Sequence, residues 1–257
     1  MAILFDQIVF GPVKSRRLGN SLGVNLLPLD NKICNFNCIY CECGWTDLKK
    51  KSVRFIDAET ITAAAEQQFK LLADRNVKID NITFAGNGEP TMHPNFGEII
   101  HTISILRDKY LPGVPITLLS NGALIGKKNV INGLQYADKL ILKLDAGTDE
   151  MFNKIDMPLG QKKLANYVSQ IKKLNNPVTI QTMFLKGSCN GINIDNTQPA
   201  EVEKWLELLQ EISPAEVQIY TLDREPPAQT LIKISETELK RISSKAEQKG
   251  FKSKVYY

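Results

Sequence analysis

Asn81-Ile82-Thr83-Phe84-Ala85-Gly86-Asn87-Gly88-Glu89 is a short apolar strand running into a polar, glycine-bearing turn, and a helix-like stretch, Phe96–Tyr110, follows it. The same unit recurs along the chain. Strand-like runs at Gly23–Leu29, Asn81–Ala85, Pro115–Leu119, Lys139–Leu144, Val178–Leu185 and Val217–Leu222 alternate with helix-like stretches. The helical stretches are Ala58–Ala73, Phe96–Tyr110, Lys127–Leu134, Lys162–Leu174, Ala200–Ile212 and Ser235–Lys249. Asp57 and Ser235 suit N-caps, and Glu238 completes a capping box with Ser235. Alternating strands and helices predict an α/β fold with a parallel sheet and helical crossovers. Six such units fit an open, partial (β/α)6 TIM-like barrel better than a closed eightfold one, with a doubly wound sheet as the alternative. Either architecture binds ligands beyond the carboxyl ends of its strands. One domain is expected across 1–257: an extension at 1–22, a barrel core at 23–223, and a helix and tail at 224–257.

Composition narrows the classes of function. The 257 residues are 43% hydrophobic and 23% charged, which is ordinary globular usage and excludes a disordered or collagen-like chain. No apolar run approaches the ~20 residues of a membrane span. Asp6 interrupts the apolar start MAILFDQIVF and no basic region precedes it, so no signal peptide and a cytoplasmic location are expected. The net charge of +4 permits a phosphate-bearing partner without requiring one. Apart from Lys49-Lys50-Lys51 there is no charge block, and there is no repeat. Two histidines, His93 and His101, argue against a multi-histidine metal site.

Sulfur carries more information. Five cysteines are too few, and odd in number, for a disulfide scaffold. Cys34, Cys38 and Cys41 form C-x3-C-x2-C in the loop after the first strand. Three thiolates on one short loop suit a small metal centre, and at a [4Fe–4S] cube they leave one iron open. Counting Cys43, four thiolates could instead hold a structural zinc, although four ligands packed into one loop differ from two separated pairs. Cys189 reads as an incidental thiol.

The cysteine spacing, with Tyr40 just before the third cysteine, resembles the radical S-adenosylmethionine superfamily, and the likeness extends over most of the chain. The resemblance implies that Cys34, Cys38 and Cys41 hold one [4Fe–4S] cluster whose open iron takes S-adenosylmethionine. A one-electron donor such as flavodoxin or ferredoxin would reduce it. Reductive cleavage would yield a 5′-deoxyadenosyl radical that abstracts hydrogen from a substrate, making the protein oxidoreductase-like. Gly88 and Glu89 match the last two residues of the family's Gly-Gly-Glu segment, which binds the methionine amino group, with Gly86 and Asn87 alongside. Ser120 and Asn121, ending the third strand, match a polar pair that contacts ribose or carboxylate.

Lys143 and Asp145 share one face of the fourth strand, opposite Leu142 and Leu144. An interior parallel strand seldom spends two charges unless they pair or meet a ligand, so a cofactor or substrate role is expected, with a structural ion pair as the alternative. Gln181 is placed to hydrogen-bond a ligand, and Met183 to pack. His93 is a helix-entry residue rather than a base. Asp223 and Arg224 either pair or line a substrate mouth. The stretch Gly11–Gly19, with Arg16 and Arg17, and Ser21–Asn25 resembles the start of a subgroup related to wybutosine synthases. Those enzymes act on tRNA, which puts RNA among the substrates to consider, beside nucleosides, peptides and small molecules. They also carry a second cysteine triad, for which this chain has only Cys43 and Cys189 to spare, so a single cluster is expected. Two alternatives are a glycyl-radical-enzyme activating enzyme, suggested by small size, and a zinc-stapled binding module.

Overall fold

The computed structural model describes residues 3–47, 54–160 and 163–257. The Lys49-Lys50-Lys51 block and Lys162 lie outside these residues. The chain forms two compact units. The first comprises Leu4–Cys34 and Thr46–Leu140, the second Met1–Ile3, Asn35–Trp45 and Ile141–Tyr257.

The first unit opens with an antiparallel hairpin of β1 (Val9–Ser15) and β2 (Gly19–Val24). The Ser15 hydroxyl accepts the N–H groups of Arg17 and Leu18 at 3.3 and 3.2 Å, so the arginine pair sits in the hairpin turn. The expected first strand ran on to Leu29; it stops at Val24. Asn25 is the reason. Its amide donates to the Leu27 carbonyl at 3.0 Å and accepts the Leu27 N–H at 3.1 Å, a local ring that diverts the backbone from strand pairing. Leu26 and Leu27 are therefore buried in a loop. Next come α1 (Ala58–Asp74), capped by Asp57 at Thr60 N with 2.7 Å, and β3 (Asn81–Phe84). They are followed by α2 (Phe96–Tyr110), β4 (Ile116–Ser120) and α3 (Lys128–Leu134).

Parallel pairing sets Ser21 beside Asn81 and Ile82 beside Ile116. One face carries Leu22, Val24, Ile82, Phe84, Ile116 and Leu118, all fully buried. The buried stripe of α1, Ile61, Ala65, Phe69 and Leu72, follows the helical repeat. Ile61, Phe69 and Leu72 each contribute about 1.5–3 kcal/mol on burial. The opposite face is polar yet equally buried. Ser21 and Thr83 hydroxyls lie 2.5 Å apart, Asn81 donates to Thr83 at 2.7 Å, and Thr117 donates to Asn81 at 2.7 Å. Those groups satisfy one another, as burial requires.

β5 (Lys139–Lys143) crosses the division between Leu140 and Ile141. The second unit continues through α4 (Asp149–Ile155), α5 (Leu164–Ile171), β6 (Val178–Met183), β7 (Leu185–Cys189) and β8 (Ile192–Asp195). It ends with α6 (Pro199–Ile212), β9 (Glu216–Tyr220), β10 (Leu231–Lys233), α7 (Glu236–Gln248) and β11 (Ser253–Tyr256). The strand order is β1-β2-β3-β4-β5-β6-β9-β11, with β10-β7-β8 as a small separate sheet. An open, mainly parallel α/β sheet of the partial TIM-barrel class is what the sequence predicts. Ser235 caps α7 at Glu238 N with 3.2 Å, as expected, but the Glu238 carboxylate that would complete the capping box pairs with Lys186 at 2.8 Å.

The small sheet, α4 and β11 are additions. The expected fifth strand through Leu185 is two strands, since β7 leaves β6 to pair with β8 and β10. Asn190 and Gly191 both take left-handed φ, 50° and 77°, which makes the tight turn between β7 and β8. That Asn-Gly dipeptide is a hairpin signal readable in the sequence. β11 pairs in parallel with β9, so the last residues are more than a tail. Among the described residues no helix is long and apolar enough to cross a membrane.

Candidate functional site

In the first unit the polar turn after β3 is tied to the residue preceding the first cysteine. Ile33 N–H donates to the Asn87 carbonyl at 2.9 Å, and Glu89 N–H donates to the Ile33 carbonyl at 3.0 Å. Between these bonds Gly88 holds φ at 133°, and a Cβ there would stand 1.9 Å from the Ile33 oxygen. Only glycine permits that approach. Asn87 is fully buried and its amide is committed to backbone. It accepts Phe5 N–H at 2.8 Å and donates to the carbonyls of Phe5 and Pro28, each at 2.9 Å. A Cβ on Gly86 would meet Asn25 Oδ1 at 2.3 Å, the oxygen that accepts the Asn87 N–H.

Glu89 is buried and its carboxylate is gripped by four donors. Oε1 accepts Thr91 N–H at 3.1 Å, the Thr91 hydroxyl at 2.5 Å and the Ser120 hydroxyl at 2.8 Å. Oε2 accepts one, Asn121 N–H at 2.7 Å. Burial pushes the carboxyl pKa up, and those hydrogen bonds oppose the rise. A carboxylate oxygen accepts about two bonds, so Oε2 retains capacity for a further donor. The Asn121 side-chain amide lies 3.6 Å from Cys34 Sγ. Cys34, Glu89, Ser120 and Asn121 thus form one constellation. The strand-end pair Ser120–Asn121 is the clamp on Glu89, and Thr91, unremarked in the sequence, is its third member.

The second unit gathers Cys38, Tyr40, Lys143 and Asp145 around a buried network. Lys143 Nζ lies 3.3 Å from Asp145 Oδ1, so the pair is an ion pair, and Nζ also bonds the Tyr220 hydroxyl. Its ammonium sits 5.0 and 4.5 Å from the ring centroids of Tyr40 and Tyr220. Burial pulls the lysine pKa down, but the Asp145 and Tyr220 interactions outweigh it and hold it above its ordinary value. Tyr40 donates its hydroxyl to Asp145 Oδ2, and Met183 N–H reaches Oδ1 at 2.6 Å. Burial, then the Asp145 charge, raise the Tyr40 pKa well above normal. Asp156, which no sequence pattern marks, is fully buried and 3.4 Å from Cys38 Sγ. Its pKa is also driven up, by burial first and by the Asp145 charge second.

Other candidates fall elsewhere. Gln181 bonds its in-register neighbour Gln218 at 3.1 Å rather than joining the Lys143 network. Arg224 pairs with Glu42 of the cysteine loop at 2.6 Å. The turn after Asp145 is held by Glu201, which accepts the N–H groups of Gly147 and Thr148 at 2.6 and 3.0 Å. All five cysteines are thiols rather than disulfides. Among the described residues no three His, Cys, Asp or Glu side chains are grouped as metal ligands. The fit of Cys34, Cys38 and Cys41 to an iron–sulfur cluster therefore rests on donor chemistry, three half-buried thiols on one loop.

His93 follows the Pro90–Met92 turn and is a structural residue. Nε2 meets the Ile56 carbonyl at 2.8 Å and so carries the proton, while Nδ1 accepts Asn95 N–H at 3.1 Å. Burial lowers its pKa. Its contribution to stability is full above the unfolded value of about 6.5 and is lost as pH falls through the lowered folded value, because protonation breaks the Asn95 bond. Urea unfolding should show wild type losing more stability than His93→Gln between pH 7 and 5; parallel losses would count against this assignment.

Residues 31–190 match the family model described as the Radical SAM superfamily. A UPF0026 protein of Helicobacter pylori strain J99 is 33% identical over 92% of this chain and 72% of its own length. A protein named GTPase Obg from Brachyspira hyodysenteriae is 32% identical over 84% of this chain, which spans 30% of that relative. A solved structure of TYW1 with a lysine-pyruvate adduct superposes with a TM-score of 0.62 at 16% identity, covering 90% of this chain and 75% of that one. At that identity the likeness is one of fold.

Proposed function

The chain belongs to the radical SAM superfamily, and from that premise we propose that it is an enzyme holding one [4Fe–4S] cluster on Cys34, Cys38 and Cys41 and binding S-adenosylmethionine. The observation that carries the reading is Asn121, whose backbone holds Glu89 and whose side chain reaches Cys34. It sets a buried carboxylate with a spare acceptor oxygen beside the first cysteine. Glu89 Oε2 would accept the ammonium group of the methionine moiety, a charge-assisted bond away from water. Tyr40, fixed through its hydroxyl, would present its ring toward the cofactor, with the Lys143–Asp145 pair holding the ring in place. When bound, cluster and cofactor supply one-electron reductive cleavage and hydrogen-atom abstraction. What this chain supplies is placement and shielding.

A one-electron donor such as flavodoxin or ferredoxin completes the cycle, and the substrate belongs among nucleosides or RNA, peptides and small molecules. A cytoplasmic location is part of the same reading, supported by cysteines too few, and odd in number, for a disulfide scaffold. Family membership does not favour a zinc-stapled module or a glycyl-radical-enzyme activating enzyme.

The test is anaerobic incubation of cluster-loaded protein with dithionite and S-adenosylmethionine. Slow release of 5′-deoxyadenosine above the Cys→Ala blanks is expected even without substrate. Release at blank level with cell extract added, in protein whose native metal is zinc, would overturn the reading in favour of the zinc-stapled module.

A further inference from the structure

In the first unit, the turn that ends β4 fixes which way the Asn121 amide points. Ser120 Oγ accepts the Gly122 N–H at 2.9 Å, and Gly122 takes a left-handed φ of 72°, which folds the chain back. Asn121 Oδ1 then accepts the Ala123 N–H at 3.0 Å, an Asx turn. With the oxygen committed to a donor, the other end of the amide is the NH2 group, and that end lies 3.6 Å from Cys34 Sγ. The backbone is held as well, through the Asn121 N–H to Glu89 Oε2 at 2.7 Å. Asn121 is buried, so water has little access to compete for the sulfur. Few side chains could replace it. Aspartate brings an acceptor where a donor is needed, serine is too short, and glutamine is a methylene too long.

We propose that Asn121 is a positioning residue acting through Cys34: its amide donates to the sulfur when that sulfur ligates a metal, and so makes the metal centre easier to reduce. The proposal rests on reading Cys34 as a ligand and adds what sets the electron density of that ligand. The direction of the bond lets it survive ligation. A thiol that donates its own hydrogen loses that bond when it binds a metal, whereas a sulfur that accepts keeps lone pairs for the donor. Ligation takes the sulfur as thiolate, and a hydrogen bond to an anionic acceptor is the stronger kind. Drawing charge away from a ligand sulfur favours the centre with one more electron, which is why hydrogen bonds to sulfur help set iron–sulfur potentials. Nothing in the spacing of the cysteines marks Asn121, which lies 87 positions from Cys34 and reaches it only through the fold.

Asn121→Leu tests this, because leucine keeps the branched shape and the backbone N–H while removing the donor. Cobalt(II), added to saturation to the anaerobic, full-length apoprotein, reports sulfur electron density through the thiolate-to-cobalt absorption band. The band should move to lower energy in Asn121→Leu. In a Cys34→Ala background, where Cys38 and Cys41 still supply thiolate, the same substitution should leave it in place. In protein reconstituted with iron and sulfide, the midpoint potential should be lower in Asn121→Leu than in wild type. An unmoved band would overturn the proposal, as would an equal move in the Cys34→Ala background or an unchanged or raised potential. A cobalt band that Cys34→Ala leaves unaltered would also overturn it, since Cys34 would then be no ligand. Should Asn121→Leu fail to fold, Asn121→Ala is judged by the same outcomes. The cobalt measurement needs neither the iron–sulfur cluster nor S-adenosylmethionine, so this result and that of the cleavage assay stand or fall separately.

Discussion

Anaerobic reconstitution of Cys34→Ala, Cys38→Ala and Cys41→Ala should return protein nearly devoid of iron and sulfide, while Cys43→Ala and Cys189→Ala load like wild type. A cube with three protein thiolates keeps one iron for a cofactor, and removing any one leaves too few ligands to retain it. The environments of the other two cysteines explain their exclusion. Cys43 is only two residues past Cys41, in a turn closed by Gly44 N–H to the Cys41 carbonyl at 2.9 Å. Cys189 ends β7 inside an apolar cluster with Leu185 and Ile194, where burial raises its pKa. The neutral thiol it favours is a poor ligand, since metals take the thiolate. Iron and sulfide assays on all five variants decide the matter. Full loading of Cys38→Ala, or loss in Cys43→Ala, would overturn the assignment.

Glu89→Gln is expected to keep the cluster, weaken S-adenosylmethionine binding and destabilise the apoprotein. The glutamine oxygen must stay where Oε1 accepts Thr91 and Ser120, because three donors converge there. The amide nitrogen then takes the place of Oε2. It faces the Asn121 N–H, donor against donor, and would present hydrogens to the cofactor's ammonium group. Losing a charge-assisted bond costs about 1.5–3 kcal/mol, roughly ten- to hundredfold in affinity. Burying the opposed donors costs about 1–3 kcal/mol of folding stability. Calorimetry on cluster-loaded protein and urea unfolding of apoprotein measure the two effects separately. Unchanged affinity with lowered stability would reduce Glu89 to a structural clamp. Retained stability would instead mean that the four-donor arrangement does not hold in solution.

Much of this was legible in the chain. The strand–helix rhythm specifies the α/β class because period-two and period-3.6 apolar patterns can be satisfied only by those elements. The caps at Asp57 and Ser235 are local, set by residues three apart. The cysteine motif is local as well, and it places the chain in its superfamily. The extra strands were harder. β10 and β11 are short, and β11, Ser253-Lys254-Val255-Tyr256, has no apolar alternation, a pattern suited to a sheet edge as much as to a tail. Asn25 shows the opposite failure. An apolar run that reads as strand is bent by a side chain whose second partner, Asn87 N–H, is 62 positions away.

By itself, then, the sequence determined the class of fold, the family and the cysteines proposed to hold a cluster, because each depends on neighbours within about a dozen positions. Tertiary structure alone decided what those residues do to one another. Ser120 and Asn121 became a clamp on Glu89, and Lys143 became the counter-ion of Asp145. Asp156 became the partner of a cysteine 118 positions earlier. Buried polar groups must find partners, and in this protein most of them find each other across distances that no local pattern encodes.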